Sequence, residues 1–197
     1  MADENFALSG ISAGDGCSLS NCSAEYNQGA NNIGYGIQAG VGSIVSHCSA
    51  YYTSVPGGSG GNAGDGIATG DRSTIVHCNS SQNRGDGIEA TYECHIVGNT
   101  CASDGFGGNG AGIHTFNSQN VIEGNFVIGG TRGIQVSDTH NLIVRNRVSG
   151  ATTNYVIVSN NRYGPIIDIR ANGAASVSGS AAPSTVNSTD PWANFSY

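Results

Sequence analysis

Gly66-Ile67-Ala68-Thr69-Gly70-Asp71-Arg72-Ser73-Thr74-Ile75-Val76-His77-Cys78-Asn79-Ser80 is the stretch from which the fold can be read. A Gly-Ile pair is followed eight positions later by a second aliphatic residue and three positions after that by a small or amide residue. The same grammar recurs outward in both directions. Its anchors are Ile11, Ile37, Ile67, Ile88, Ile113 and Ile134, each preceded by Gly, with Val156 as a seventh. The second aliphatics are Leu19, Val45, Ile75, Ile96, Ile122 and Ile143. Three residues on stand Cys22, Cys48, Cys78, Asn99, Asn125 and Asn146, and two beyond these come Ala24, Ala50, Ser80, Cys101, Val127 and Val148. Four columns in register over six units define an internal repeat.

Successive anchors lie 26, 30, 21, 25, 21 and 22 residues apart, so the unit is 21 residues with insertions. That is too short for a helical hairpin and suits one turn of a coil of short parallel strands, each column stacking on the next about 4.8 Å away. Ile and Val in short runs, 31 glycines and only 11% charged residues agree with strands and turns and argue against disorder. The aliphatic columns should point inward. The Asn column should sit at a bend, where stacked amides satisfy backbone groups. Gly before each anchor should mark a positive φ or a close approach. The insertions, around residues 26–35, 51–64 and 104–111, all fall between the last column and the next anchor, so they should project from one edge of the stack.

Over residues 10 to about 169 this pattern resembles the right-handed parallel β-helix repeat of the pectate-lyase-like superfamily. The resemblance implies an all-β solenoid of about six to seven coils over residues 1–170. Residues 171–197 follow as a linker rich in Ala, Ser, Gly and Thr and an aromatic tail. Arg162 to Ile169 reads as a final strand, with Pro165 poorly suited to a central ladder. Asn161-Arg-Tyr-Gly-Pro-Ile166 and the closing Asp190-Pro-Trp-Ala-Asn-Phe195 resemble the C-terminal end of uncharacterised bacterial β-helix repeat proteins, mostly secreted or surface-associated.

The net charge is −7, with seven arginines and no lysine, and no basic cluster. That composition disfavours nucleic acid and anionic membranes as partners. No apolar run reaches the length of about 18 residues expected of a membrane helix. The opening Met-Ala-Asp-Glu-Asn has no signal-peptide pattern and reads as the start of an excised fragment, so the missing signal carries little weight, and the resemblance to secreted or surface-associated proteins implies an extracellular or cell-surface location.

Chemistry could reside in five places. Asp65 and Asp86 precede their anchors by two positions, and Glu89 and His114 follow theirs by one. Stacking brings these four together, as the catalytic set if the chain is an enzyme. The superfamily's lyases carry acidic Ca²⁺ sites, so Ca²⁺ is implied for a lyase; otherwise no metal or cofactor is expected. The Asp-Asp and Gly-His-Gly motifs of its glycoside hydrolases are absent, as is a lysine base. His47 and His77 precede column cysteines, but alternation turns imidazole and thiol to opposite sides. Cys22, Cys48 and Cys78 read as a buried free-thiol column. Arg84-Gly85-Asp86 is accounted for by the repeat. Tyr26, Tyr35, Tyr51, Tyr52 and Phe106, in or beside the insertions, could stack on sugar rings.

These residues suggest a non-catalytic module of a secreted or surface protein, structural or in contact with polysaccharide. The alternatives are a polysaccharide lyase or hydrolase, and an oligomeric spike or fibre segment joined through Trp192, Phe195 and Tyr197.

Overall fold

Three-residue strands separated by two-residue bends dominate the chain, and this rhythm wraps it into a parallel β-solenoid. The computed structural model describes residues 2–3, 9–28, 34–54, 63–168, 177–179 and 191–196, among which there is no helix. Three sheets form the walls. The anchor sheet has eight strands: Ser9–Ala13, Gly34–Ala39, Ala63–Thr69, Ile88–Ala90, Ala111–Thr115, Arg132–Val136, Thr153–Ile157 and Val177–Gly179. The second sheet has seven strands, stacked from Ser18–Ser20 to Arg162–Tyr163, and the third has nine. The coil count differs slightly from the repeat reading, because rungs at the two ends come from segments outside the repeat: Ala2–Asp3, Val177–Gly179 and Asn194–Ser196.

Every strand pairing among the described residues is parallel, and the columns stack as the spacing requires. Ile37, Ile67, Ile88, Ile113 and Ile134 pair rung on rung, as do Val45, Ile75, Ile96, Ile122 and Ile143. All ten are fully buried. Each buried aliphatic side chain supplies about 1.5–3 kcal/mol, and among the described residues these ten share one core cluster with column residues such as Cys78, Cys101, Val127 and Val148.

At the seventh rung the anchor is Tyr155, which pairs with Ile134; Val156 pairs with Gln135 and faces outward. The Tyr155 ring is fully buried and its hydroxyl donates to Asn146 O at 3.1 Å. A buried hydroxyl with a partner makes Tyr an acceptable core residue, and without a Gly-Ile pair at this rung the sequence assignment falls one residue late. The glycine before each anchor marks close approach, since its φ is not positive. A Cβ on Gly66 would lie 2.4 Å from Ser80 Oγ and 2.6 Å from Gly87 O.

Positive φ belongs to the bends. Each bend is one left-handed residue followed by one inward ladder residue. At the second bend the left-handed positions are Asn21, His47, His77, Gly98, Gly124 and Arg145, and the ladder is the Cys/Asn column. Thirteen described non-glycine residues adopt this conformation, a strain of about 1–3 kcal/mol each that the surrounding ladder holds in place. The same construction repeats at the other two bends. Ladders run Cys17, Ser43, Ser73, Cys94, Asn120, Asn141, Asn161 at the first and Asn27, Thr53, Asn83, Asp104 at the third.

Pro165 divides the expected final strand in two, because it has no N–H to give a ladder. Arg162–Tyr163 joins the second sheet and Ile166–Asp168 the third. The expected boundary at 170/171, Tyr197, most of the linker, and insertion residues 29–33 and 55–62 lie outside the described residues.

Candidate functional site

The anchor sheet stacks Tyr35 on Asp65 in its outer column, and the next residue in that column is Asp86. In the column after the anchor, Gln38, Ala68, Glu89, His114 and Gln135 follow one another rung by rung. Asp65, Asp86, Glu89 and His114 therefore converge. One carboxylate oxygen from each of Asp65, Asp86 and Glu89 lies within 4.8 Å of the others.

Asp65 is 0% exposed and Asp86 1% exposed. Asp65 Oδ1 accepts the Asp86 N–H at 2.6 Å, and Asp86 Oδ1 accepts the Ala111 N–H at 2.6 Å. Asp65 Oδ2 is buried without a hydrogen-bond partner among the described residues. Burial, then the charges of Asp86 and Glu89, push Asp65 well above the usual carboxylate range. Of the three carboxyl groups, Asp65 is the one that burial and its two acidic neighbours press hardest toward the protonated form. Burial also raises half-buried Glu89, with Asp86 adding to the rise and the bond from Asp65 opposing it. Burial, Glu89 and Asp65 raise the Tyr35 phenol as well, so it remains a donor.

His114 is held on three sides. Its Nδ1 lies 2.9 Å from Asp86 Oδ2, and its Nε2 lies 2.8 Å from Ser137 Oγ and 3.0 Å from Gln135 Nε2. The Phe116 ring covers it, with centroids 3.9 Å apart. When Nε2 accepts from the Gln135 amide, Nδ1–H is left to donate to Asp86, so the partners fix the orientation of the ring.

Glu89 stands at one end of a shallow cleft of about 250 Å³, with Tyr35 and Gln38 on its walls. The cleft exists because the column residue between Gln38 and Glu89 is Ala68, whose methyl forms the floor. A larger opening of about 500 Å³, at the first bend around His140, Asn160 and Arg162, contains none of the sequence-selected site residues.

The Ca²⁺ that the superfamily resemblance implies does not fit this cluster. Calcium takes six to eight oxygens. Here both Asp86 oxygens serve His114 and Ala111 N, and Asp65 Oδ1 serves Asp86 N.

The aromatic candidates separate into distinct places. Tyr35 is at the cleft. Tyr26, Tyr51 and Tyr52 pack on one another at the third bend, with Tyr26 and Tyr51 edge to face at 5.4 Å and Tyr26 tilted on Tyr52 at 5.7 Å. Rings so inclined cover one another and present no common plane for a sugar. Phe106 is exposed on the 103–110 turn. His47 and His77 are exposed at left-handed positions, their rings 5.4 Å apart, while Cys48 and Cys78 face the core. All six cysteines are free thiols. The Asp86 carboxylate is buried, so Arg84-Gly85-Asp86 offers no exposed acid.

Sequence reading missed Ser137 and Phe116 around His114, and Asp104 in the third ladder. Asp104 could have been found, because it lies five residues after Asn99, as Asn83 lies five after Cys78. Ser137 and Phe116 carry no repeat signal.

No family model matches the chain, and no curated protein matches it. Among solved structures, two trypsin-treated variants of QnrB1, a plasmid-mediated fluoroquinolone resistance protein, are similar to it at 13% identity. The TM-scores are 0.27 and 0.23, with 85% and 88% of this chain and 91% of each of those chains covered.

Proposed function

We propose that this chain is a non-catalytic module of a secreted or surface protein, built on the pectate-lyase-like plan, that contacts a neutral polysaccharide along its anchor sheet. The observation that carries this reading is the burial of Asp65 and Asp86. Hydrolysis or elimination by paired carboxyl groups needs both to reach the sugar. Here both aspartates hold backbone N–H groups inside the wall, and only Glu89 reaches the cleft. Tyr35, Gln38 and Glu89 together supply a ring face, an amide and a carboxyl for sugar hydroxyls. A net charge of −7 favours a neutral polymer over an acidic one.

One observation favours the enzyme reading instead. The raised carboxyl of Glu89 is a form suited to a general acid. Electrophoresis in gels containing neutral β-glucan, galactomannan or polygalacturonate separates the two. We expect retardation in a neutral gel, weakened by Tyr35→Ala and Glu89→Gln, with no reducing ends and no unsaturated product released. Product release that Glu89→Gln abolishes would establish the enzyme. Unaltered mobility in every gel would overturn the binding module.

A further inference from the structure

The third sheet stacks its last rungs out of chain order: Arg147–Ser149, then Asn194–Ser196, then Ile166–Asp168. In the other two sheets the last coil lies directly on its predecessor, Thr153–Ile157 on Arg132–Val136 and Arg162–Tyr163 on Leu142–Val144. The final coil is therefore parted on one wall by a full strand width, about 4.8 Å, and residues 191–196 fill the gap. The closing segment is intercalated between two strands, where an aromatic cap on the outside of the last coil would have been the simpler arrangement.

The slot recognises its occupant. Asn194 Oδ1 accepts the Asn146 N–H at 3.0 Å, and its amide donates to Ile143 O at 3.0 Å and Gly164 O at 3.2 Å, so it extends the second-bend ladder. The main chain adds Arg145 N–H to Trp192 O and Asn194 N–H to Pro165 O. The Arg145 guanidinium donates to Pro191 O at 2.7 Å and lies 4.3 Å from the centre of the Trp192 ring. Gly164 allows the approach, because a Cβ there would stand 1.7 Å from Trp192 O. These contacts involve residues 191–196 alone, and none of them depends on the covalent link to Gly179.

From this geometry we infer that the slot between Arg147–Ser149 and Ile166–Asp168 is a strand-addition site for an extended Pro-Trp-Ala-Asn segment, and that its occupant in trans is the same segment of a second copy of this chain. The connection 180–190 is eleven residues, a reach of about 36 Å when extended, enough to enter a neighbour's slot. A tether of that length gives its own segment an effective concentration of about 1 mM, so exchange sets in as the chain itself approaches that concentration. The exchange is independent of polysaccharide binding.

The test is light scattering on the full chain at about 10 µM and about 1 mM, with and without a tenfold excess of synthetic peptide spanning residues 190–197. We expect monomers at the lower concentration and dimers at the higher. The peptide should dissolve the dimers, and a peptide with alanine in place of Asn194 should leave them intact. Chain carrying Gly164→Ala, checked for its strand signal by circular dichroism, should form no dimer. Monomers at both concentrations would overturn the inference, as would dimers indifferent to the native peptide or persisting in Gly164→Ala.

Discussion

The two ends of the second-bend ladder perform the same task with different chemistry. Toward the start, Cys22 N–H reaches Cys48 Sγ at 3.4 Å and Cys48 N–H reaches Cys78 Sγ at 3.5 Å, long contacts to a weak acceptor. From Cys78 onward each N–H meets an amide oxygen at 2.8–3.0 Å. Each Asn also donates from its own amide to the next Asn and to a carbonyl of the preceding coil. An amide thus secures three coils through short bonds, whereas a thiol spreads one weak S–H over a carbonyl two residues back and, for Cys48 and Cys78, one on the preceding coil, at 3.2–3.7 Å. The first bend follows the same gradient from Cys and Ser to Asn. Within one fold, the later coils are clamped by amides and the earlier ones are packed by thiols and hydroxyls.

The largest effect should come from removing an amide at mid-ladder. Asn125→Ala leaves the Asn99 N–H buried without its partner, at about 1–3 kcal/mol, and removes the amide bonds to Ile96 O and Asn146 Oδ1, at about 0.5–1.5 kcal/mol each, or about 2–6 kcal/mol in all. Cys48→Ala at the equivalent rung should cost about 1–2 kcal/mol. Urea unfolding midpoints measure both, and equal losses would break the contrast between the ends.

The next effect concerns the third bend, where Asp104 stands in an amide's place. Its Oδ1 accepts from Asn83 N and Nδ2, both at 2.9 Å, while its Oδ2 is buried without a donor. Burial raises its pKa to about 7, outweighing those hydrogen bonds. The folded chain therefore binds the proton more tightly than the unfolded chain. Stability is greatest below pH about 4, where an unfolded aspartate also holds its proton, and falls until pH about 7, by up to about 4 kcal/mol in all. Raised Asp65 acts in the same direction. Asp104→Asn should flatten this decline and stabilise the chain at pH 8 by about 2–4 kcal/mol, read from thermal midpoints at pH 5 and pH 8. A steeper decline in the variant would exclude Asp104 as its source.

The smallest effect would sharpen the comparison. Cys78→Asn carries the amide ladder one rung further toward the start, offering an oxygen to Cys48 N–H and an amide to Val45 O and Asn99 Oδ1. A gain of about 1 kcal/mol is expected in urea unfolding, with slower hydrogen exchange at Cys48. A loss would mean that the bend at that rung is shaped for sulfur.

Most of this architecture is legible in the sequence because core residues in a solenoid answer to one period. Ile67 and Ile75 repeat because each must fill the same space one rung on. The bends are less legible. Cys78 reads as a filler at one column, yet Ser73 and Asn83 stand five residues to either side of it and do the same work at the other bends. Three strand residues plus two bend residues make that spacing, and the longer unit of about 21 conceals it. Of the candidate site, the convergence of Asp65, Asp86, Glu89 and His114 follows from stacking. Their burial does not, because it depends on backbone N–H groups of Asp86 and Ala111 that only coordinates place. Tyr35 stands out in the sequence as an aromatic loop residue; in the structure its role comes from standing over Asp65, beside the space that Ala68 leaves open.

The intercalated closing strand also has a consequence for the order in which the molecule is completed during synthesis. Ladder bonds elsewhere span 20–30 residues, so each coil can settle on its predecessor soon after it emerges from the ribosome. The bond from Asn146 to Asn194 spans 48. Until that residue emerges, the last coil has nothing to hold the third wall together, and Asn146 has no partner for its backbone N–H. Construction is vectorial for most of the chain and ends by going back one storey to close a gap.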